Sequence, residues 1–297
     1  MAKLAIQLLT FHRLDTLPAL FASLKTQTDK DWTLHWLENA STPDERAKMQ
    51  QMIDELQPDF LIKQTDNPAN VGFSGGHEQL YKTHDADYVM LLNDDAILEP
   101  EYVARLRAHL DAHERVAAVA GTILRWDVDP AGQVMKSNVI DSLGLARTRA
   151  HKVIDIGAGQ PLATVALPKT IFGVSGCLPM YRRAAVGSQL FDPTYFLYKE
   201  DVDLAYRLNR EGWQAALVPE AHAYHRRSFR STTSRKELSY RVQYLSYRNH
   251  WRNLRKHLTW HDWLTDGWAI MPFETAKAAY MLVTHPTILF NTVRDWL

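Results

Sequence analysis

The chain predicts an α/β fold: a mainly parallel central sheet with helices on both faces, followed by a helical C-terminal extension. Three observations lead there. Short apolar, β-branched or aromatic runs alternate with helix-length segments between residues 4 and 124. Four consecutive runs end in polar clusters, at the place where an open α/β sheet builds its ligand site. The composition then changes near residue 225. From Tyr224 to Lys256 ten Lys or Arg accompany one acid, Glu237, although the whole chain has net charge zero. Five of the nine tryptophans (Trp251, Trp260, Trp263, Trp268 and Trp296) fall in the last fifty residues.

LAIQLLT (4–10) reads as the first strand and ends at Thr10-Phe11-His12-Arg13. Leu14 to Thr26 is helix-like. TLHWLEN (33–39) is the second strand, ending at Glu38-Asn39-Ala40-Ser41, and Pro43 suits the first turn of a helix reaching Leu56. DFLIKQT (59–65) leads into the polar stretch Asp66 to Gly72, with a helix from Ser74 to Thr83. YVMLLN (88–93) ends at Asn93-Asp94-Asp95; Pro100 opens a helix to His113, and VAAVAGTIL (116–124) is the next strand. Strands separated by helices of this length imply right-handed βαβ units. Residues 127–168 lose the rhythm and predict a long excursion with hairpins and a mobile loop. KTIFGVSGCLPMYR (169–182) restores a strand-like pattern. EDVDLAYRLNREGW (200–213) is a helix with acids in its first turn and Gly212 as its stop. Domain boundaries follow as 1–237 for the sheet domain and 238–297 for the extension.

The composition, 46% hydrophobic, supplies a large core. The single cysteine, Cys177, excludes an internal disulfide framework and a cysteine-rich zinc site, and suits a reducing compartment. The start, MAKLAIQLLTFHRLD, has too short an apolar run and no small-residue cleavage site, so it reads as a strand rather than a leader. No apolar run is long enough for a spanning helix.

The carboxylates after "VMLLN" have two readings. A hard divalent cation takes carboxylate oxygens and fills its sphere with water and phosphate oxygens. The same residues also suit an N-cap for the helix near Pro100.

The motifs resemble those of the family 2 glycosyltransferases, nucleotide-sugar enzymes with the Rossmann-like GT-A fold. Thr10-Phe11-His12-Arg13 is similar to their "TYNR"-like element. Glu38-Asn39-Ala40-Ser41-Thr42-Pro43-Asp44 is similar to "DN-x-S-x-D", with Glu for Asp and one extra residue. Asn70-Val71-Gly72-Phe73-Ser74-Gly75-Gly76 matches "N-x-G-F-x-x-G". Asn93-Asp94-Asp95 stands for the D-x-D motif and keeps its second acid. Glu200-Asp201-Val202-Asp203-Leu204, with Arg207 and Gly212, resembles the "EDvDl…R…G" element, and His225 follows "PEA" at 219–221. "SGCLPMYRR", "FDPTYFLYKEDVDLAYR" and Tyr247-Arg248-Asn249 resemble the rhamnosyltransferase-like branch.

The resemblance implies an inverting, metal-dependent hexosyltransferase of cell-surface polysaccharide synthesis. Its donor would be a nucleoside-diphosphate sugar, dTDP-L-rhamnose first or a UDP-sugar, and its acceptor a glycan or lipid-linked sugar. Asp201, with Glu200 second, would be the base that takes the acceptor proton. Asp95 and His225 would hold Mg²⁺ or Mn²⁺. Thr10, Phe11, Arg13, Glu38, Asn39, Asp66, Asn70, Gly72, Asn93 and Asp94 would line the donor site, with Asp66 toward the base. Arg226, Arg227 and Arg230 would neutralise the departing diphosphate. Asp203, four residues before Arg207, reads as a structural ion pair.

In the extension, Tyr244, Tyr247, Trp251, Leu254 and Leu258 form an aromatic stripe on a basic helix. One reading packs it on the catalytic domain; the other lays it on anionic lipid. The tail after Trp263 is broken by Pro272, Glu274, Lys277 and Pro286, so it would lie on a bilayer rather than cross it. These features place the protein in the cytoplasm at the inner face of the membrane. No nucleic-acid reader motif accompanies the basic stretch. Two rival classes remain: a nucleotidyltransferase, for which TFHRLDTLPAL lacks the Gly-rich activating loop, and a non-catalytic sugar-nucleotide or membrane adaptor.

Overall fold

A computed structural model describes residues 3–226 and 239–295 of the chain. Strand β1 (Leu4–Thr10) pairs in parallel with β2 (Trp32–Asn39), and β2 with β3 (Ile62–Asn67). On its other side β1 pairs in parallel with β4 (Tyr88–Asn93). The register sets Thr10 against Glu38, Asn39 against Asn67 and Leu9 against Asn93, so the polar strand ends stand level along one edge.

Strand residues alternate between two apolar layers, as the two-residue period of a pleated strand requires. Leu4, Ile6, Leu8, Met90 and Leu92 pack under helices α1 (Leu17–Lys25), α2 (Pro43–Leu56) and α4 (Tyr102–Ala112). Val89 and Leu91 face α3 (Gly72–Tyr81), the short α5 (Arg183–Val186) and α6 (Glu200–Arg210). Each fully buried Leu or Ile contributes about 1.5–3 kcal/mol relative to exposure. Helix α2 begins as a capping box: Glu45 N–H donates to the Thr42 hydroxyl and Thr42 N–H donates to the Glu45 carboxylate at 2.7 Å.

Beyond β4 the sheet becomes mixed. Strand β10 (Met180–Arg182) runs antiparallel between β4 and β6 (Val116–Val128). Strand β11 (Gln214–His225) lies parallel to β6, and β5 (Ala96–Leu98) closes that side antiparallel to β11. The parallel character thus belongs to β3-β2-β1-β4. Only Met180–Arg182 of the expected strand 169–182 joins the sheet. The excursion is built as two hairpins, β6 with β7 (Val134–Ser142) and β8 (Leu145–Arg147) with β9 (Val153–Asp155).

The helix expected from Pro100 forms two residues later, and one of the two readings of the acids, the N-cap, fails. Helix α4 starts at Tyr102 with Glu101 as N-cap and no side-chain capping bond. Strand β5 intervenes between the acids and that helix, so Asp94 and Asp95 cap nothing; they form the turn between β4 and β5.

The extension is three helices: α7 (Tyr240–His257), α8 (Trp260–Thr284) and α9 (Pro286–Arg294). The stripe on α7 is a packing seam, with Tyr247 and Leu254 buried and Tyr244 and Trp251 set against Met281 and Ile288. Pro272 does not break the chain there. Helix α8 runs through it for 25 residues, and Pro286 instead opens α9.

Candidate active site

The edge formed by the strand ends carries a chain of charge. Arg13, just past β1, reaches the Asp95 carboxylate at 2.6 Å and lies 3.7 Å from Asp94. The pairing of β5 with β11 sets His225 opposite Ala96, one residue from Asp95, and so delivers its imidazole. His225 Nε2 stands 3.0 Å from Asp95 and Nδ1 stands 2.8 Å from Asp141. The Asn93 amide meets the same Nε2 at 3.2 Å. Trp126 Nε1 and the Arg226 amide both donate to the Asp95 carbonyl, fixing the turn from behind.

Burial shapes the protonation of this chain. Asp95 is 4% exposed, which alone would raise its pKa; His225 and Arg13 outweigh burial and hold the carboxyl below its usual range. Burial likewise opposes charge on His225, but Cys177, Asp95 and Asp141 push its pKa well above the ordinary histidine value. Asp94, buried beside Asp95, is pushed up to about 7.

Asn39 and Asn70 join the ends of β2 and β3: Asn39 Nδ2 donates to Asn70 Oδ1 at 2.8 Å, and Asn39 Oδ1 accepts from the Val71 amide. Asn70 Oδ1 also accepts from the Gly72 amide at 2.8 Å. Gly72 has φ +77°, and a Cβ there would stand 2.3 Å from the Phe196 carbonyl, so only glycine fits.

The second group begins at α6. Glu200 is 5% exposed, whereas Asp201 keeps an open edge. Asp201 accepts from the Gly176 amide at 3.1 Å and from the Val202 amide at 2.8 Å. Burial raises the pKa of both acids, and the Asp201 charge raises that of Glu200 further. Asp203 does pair with Arg207, at 3.5 Å, and also with His257 of α7 at 2.7 Å. One pair of adjacent residues links the two groups. The Gly176 amide holds Asp201, and the thiol of the next residue, Cys177, is buried within electrostatic reach of His225, Asp141 and Asp95.

The loop that delivers the acid pair is strained. Phe196, Tyr198 and Lys199 have φ of 63°, 72° and 70°, a region that L-residues occupy at a cost of about 1–2 kcal/mol each. Helix α7 holds it. Asn249 Nδ2 donates to the carbonyls of Tyr195 (2.9 Å), Leu197 (3.0 Å) and Tyr198 (2.8 Å), and Asn253 Nδ2 to that of Lys199 (3.0 Å). Arg248 and Arg252 donate to the Thr194 carbonyl.

Some expected donor-site residues are turned elsewhere. The Thr10 hydroxyl accepts from buried Trp36 Nε1 at 3.0 Å and is committed to the core. Glu38 is buried against the Gln64 amide, its pKa raised by burial. Asp66 is exposed, 3.8 Å from Arg46, and Phe11 is exposed at the rim. Arg226 pairs with Asp15 (3.0 Å) and Asp127 (3.2 Å). Arg227 and Arg230 lie outside the described residues. Among the described residues no three His, Cys, Asp or Glu side chains converge as a metal cage. Asp95 offers the carboxylate oxygens that Mg²⁺ or Mn²⁺ takes beside diphosphate and water oxygens, and His225 would add a nitrogen only on losing the proton that its two carboxylate neighbours favour.

Sequence reasoning missed Asp141, the Gly176 amide and the α7 asparagines. Asp141 sits in an unpatterned excursion, and a backbone amide leaves no residue signature. Asn249 was visible inside "YRN", but its role depends on a loop fifty residues away.

Known proteins resemble this chain in sequence and in fold. Among curated proteins, N-acetylglucosaminyl-diphospho-decaprenol L-rhamnosyltransferase from Mycobacterium tuberculosis is 31% identical over 153 residues, covering 48% of this chain and 48% of its own. The chain therefore spans about half the length of that relative. A solved structure of GalNAc-T7 with UDP, GalNAc and Mn²⁺ superposes with TM-score 0.61 at 13% identity, over 85% of this chain and 47% of that one. The mannosyltransferase PcManGT from Pyrobaculum calidifontis, with GDP-Man and Mn²⁺, gives 0.57 at 14% identity, over 95% and 75%. These likenesses establish the GT-A fold. The family model of glycosyl transferase family 2 matches residues 6–188, more than half of the chain, and the chain belongs to that family.

Proposed function

We propose that this glycosyltransferase works by inversion on a nucleoside-diphosphate sugar, and that Asp201 is its base. The observation that carries the reading is that Gly176, whose amide holds Asp201, precedes Cys177, a buried thiol within electrostatic reach of His225 and Asp95 at the charged turn. Asp201 rather than Glu200 takes the acceptor proton, because Glu200 is enclosed and Asp201 is not. The raised pKa of the pair makes the ionised form a stronger base than a free carboxylate. Asn39, Asn70 and Gly72 shape the donor floor, with Phe11 and Asp66 at its rim beside Thr10 and Glu38.

Asp95 and His225 would hold Mg²⁺ or Mn²⁺, with Asn93 and Asp94 shaping the turn. A bound cation supplies Lewis acidity to the departing diphosphate. Arg13 spans Asp94 and Asp95 and is placed to turn toward that diphosphate, and Arg226 adds a second cation; the contribution expected of Arg230 lies outside the described residues.

The donor reading is dTDP-L-rhamnose, with a UDP-sugar second. The acceptor reading is a lipid-linked or glycan sugar in cell-surface polysaccharide synthesis. The named relative, a rhamnosyltransferase of a decaprenol-linked sugar, supports both. Residues 1–237 form the catalytic unit and 238–297 the extension, which brings the protein to the cytoplasmic face of an anionic membrane. Among the described residues no helix is long and apolar enough to cross one.

A thermal-shift screen of nucleoside-diphosphate sugars with Mn²⁺ tests the reading, because a ligand at a hundred times its Kd stabilises by about 2.7 kcal/mol. A dTDP-sugar should raise the midpoint most, and chelator or Asp95→Ala should remove the rise. No response to any nucleotide sugar overturns it.

A further inference from the structure

Helix α8 wears its charge on the side away from water. Its four charged side chains, Asp262, Asp266, Glu274 and Lys277, share an inward stripe with buried Ile270 and Met281. Each is engaged there. Asp262 caps the helix through Thr259, and Asp266 lies 3.5 Å from both Arg149 and His151. Buried Glu274 meets His250 at 2.7 Å, and Lys277 stands over the Tyr247 ring.

The outward stripe carries Trp260, Leu264, Trp268, Met271, Leu282 and Val283 and no Asp, Glu, Lys or Arg. Trp260 is 74% exposed, Leu264 73% and Trp268 68%. A helix bordering water has the opposite arrangement, with the charged face outward.

We propose that this outward face of α8 seats the protein on an anionic lipid leaflet, with the helix flat at the headgroup boundary. The inference deepens the membrane contact read above by naming the surface that makes it. Three features select lipid as the occupant. Tryptophan favours the headgroup boundary, where an apolar ring and a polar N–H are both satisfied. The 25-residue helix offers about 37 Å of uncharged contact, while its inward acids keep the helix from entering the bilayer core. Exposed cations flank its N-terminal half: Arg149 beside Asp266, Lys152 near the Phe273 ring, and Arg255 just before the α7–α8 turn. The seat is joined to the acid pair, since His151, held by the α8 acids, meets Tyr206 of α6 at 3.0 Å.

Co-sedimentation of the full chain with vesicles, without donor or acceptor, tests this. The protein should bind phosphatidylcholine vesicles containing phosphatidylglycerol, more weakly in high salt and far more weakly on phosphatidylcholine alone. Tryptophan emission should shift to the blue on binding. The exposed double variant Leu264→Ser/Trp268→Ser, with an unchanged circular dichroism spectrum, should bind about tenfold more weakly or worse. Wild-type protein that ignores anionic vesicles, or a double variant that binds them equally well, overturns the proposal. A concentration-dependent dimer abolished by the same variant, without vesicle binding, would assign the face to a second copy and overturn it too. Vesicle binding by a protein that, in a separate assay, binds and transfers from no nucleoside-diphosphate sugar would sink the enzymatic reading alone.

Discussion

The carboxyl edge of the sheet and the acid pair of α6 handle buried charge in opposite ways. At the turn after β4 the central carboxylates have cationic neighbours: Arg13 and His225 for Asp95, and His225 again for Asp141. Asp95 stands between two paired strands and Asp141 within one, β7. At α6 Glu200 is buried and Asp201 half-buried, Asp201 takes amide donors instead of a salt-bridged cation, and both acids bind protons more tightly. They follow a loop with three residues in the left-handed region, held by side chains from α7. Paired charge suits a surface that must recognise a charged donor and stay put. An unpaired acid in a held loop suits a group that must take up a proton.

Removing the acid of that comparison gives the largest effect. Asp201→Asn should lower kcat by about 10²–10⁴-fold while the dissociation constant for the donor is unchanged. Calorimetry of donor binding beside a transfer assay reads both, and full turnover by the variant would falsify the base assignment. Loosening the loop should do less. Asn249→Ala withdraws the amide from three carbonyls and should lower kcat about tenfold with donor affinity intact, costing about 1–3 kcal/mol of stability. An equal fall in donor affinity would mean that α7 supports the whole fold instead of the acid loop.

The smallest effect is on stability and pH. A carboxyl whose folded pKa is raised binds its proton more tightly when folded, so its contribution is complete at low pH and is lost as pH rises. For Glu200 and Asp201 the loss begins above the ordinary carboxylate range, near pH ~4, and continues through their raised values. Asp201→Asn should therefore melt higher than wild type in alkaline buffer and converge with it in acid. Identical pH–melting curves would show that the pair is not burdened in this way. The activity of the wild type should fall on the acid side with an apparent pKa above that of a free carboxylate.

The edge was legible in the sequence and the held loop was not, for a physical reason. Strand ends, Gly72 and Asn70 act within a few residues of one another, so alternation and turn chemistry betray them. Helix α2 was readable from Pro43 to Leu56, and Thr42 with Glu45 carries its capping signature in four letters. The helix-cap reading of the acids after β4 stayed open in the sequence because β5, three residues long, is too short to show a period. Asp141, Asn249 and Asn253 act across 84, 54 and 54 residues of sequence, and no local pattern encodes such a meeting. The stripe on α7 does pack, as one of its two readings had it, but against α8 and α9 rather than the catalytic domain; the outward face of α8 was hidden because its hydrophobic and charged residues look interspersed until the helix fixes their sides.

The clamp of Asn249 on the carbonyls of Tyr195, Leu197 and Tyr198 also orders events in time. A chain emerging from the ribosome completes its sheet and its acidic turn before α7 exists. Until Asn249 arrives the strained loop keeps only such bonds as that of the Ser74 amide to the Phe196 carbonyl, so on the proposed reading the donor side would be complete before the base is placed. The last helices then act as a completion check. A fragment ending before residue 240 would resemble the finished protein in fold and donor affinity, and would be silent in transfer.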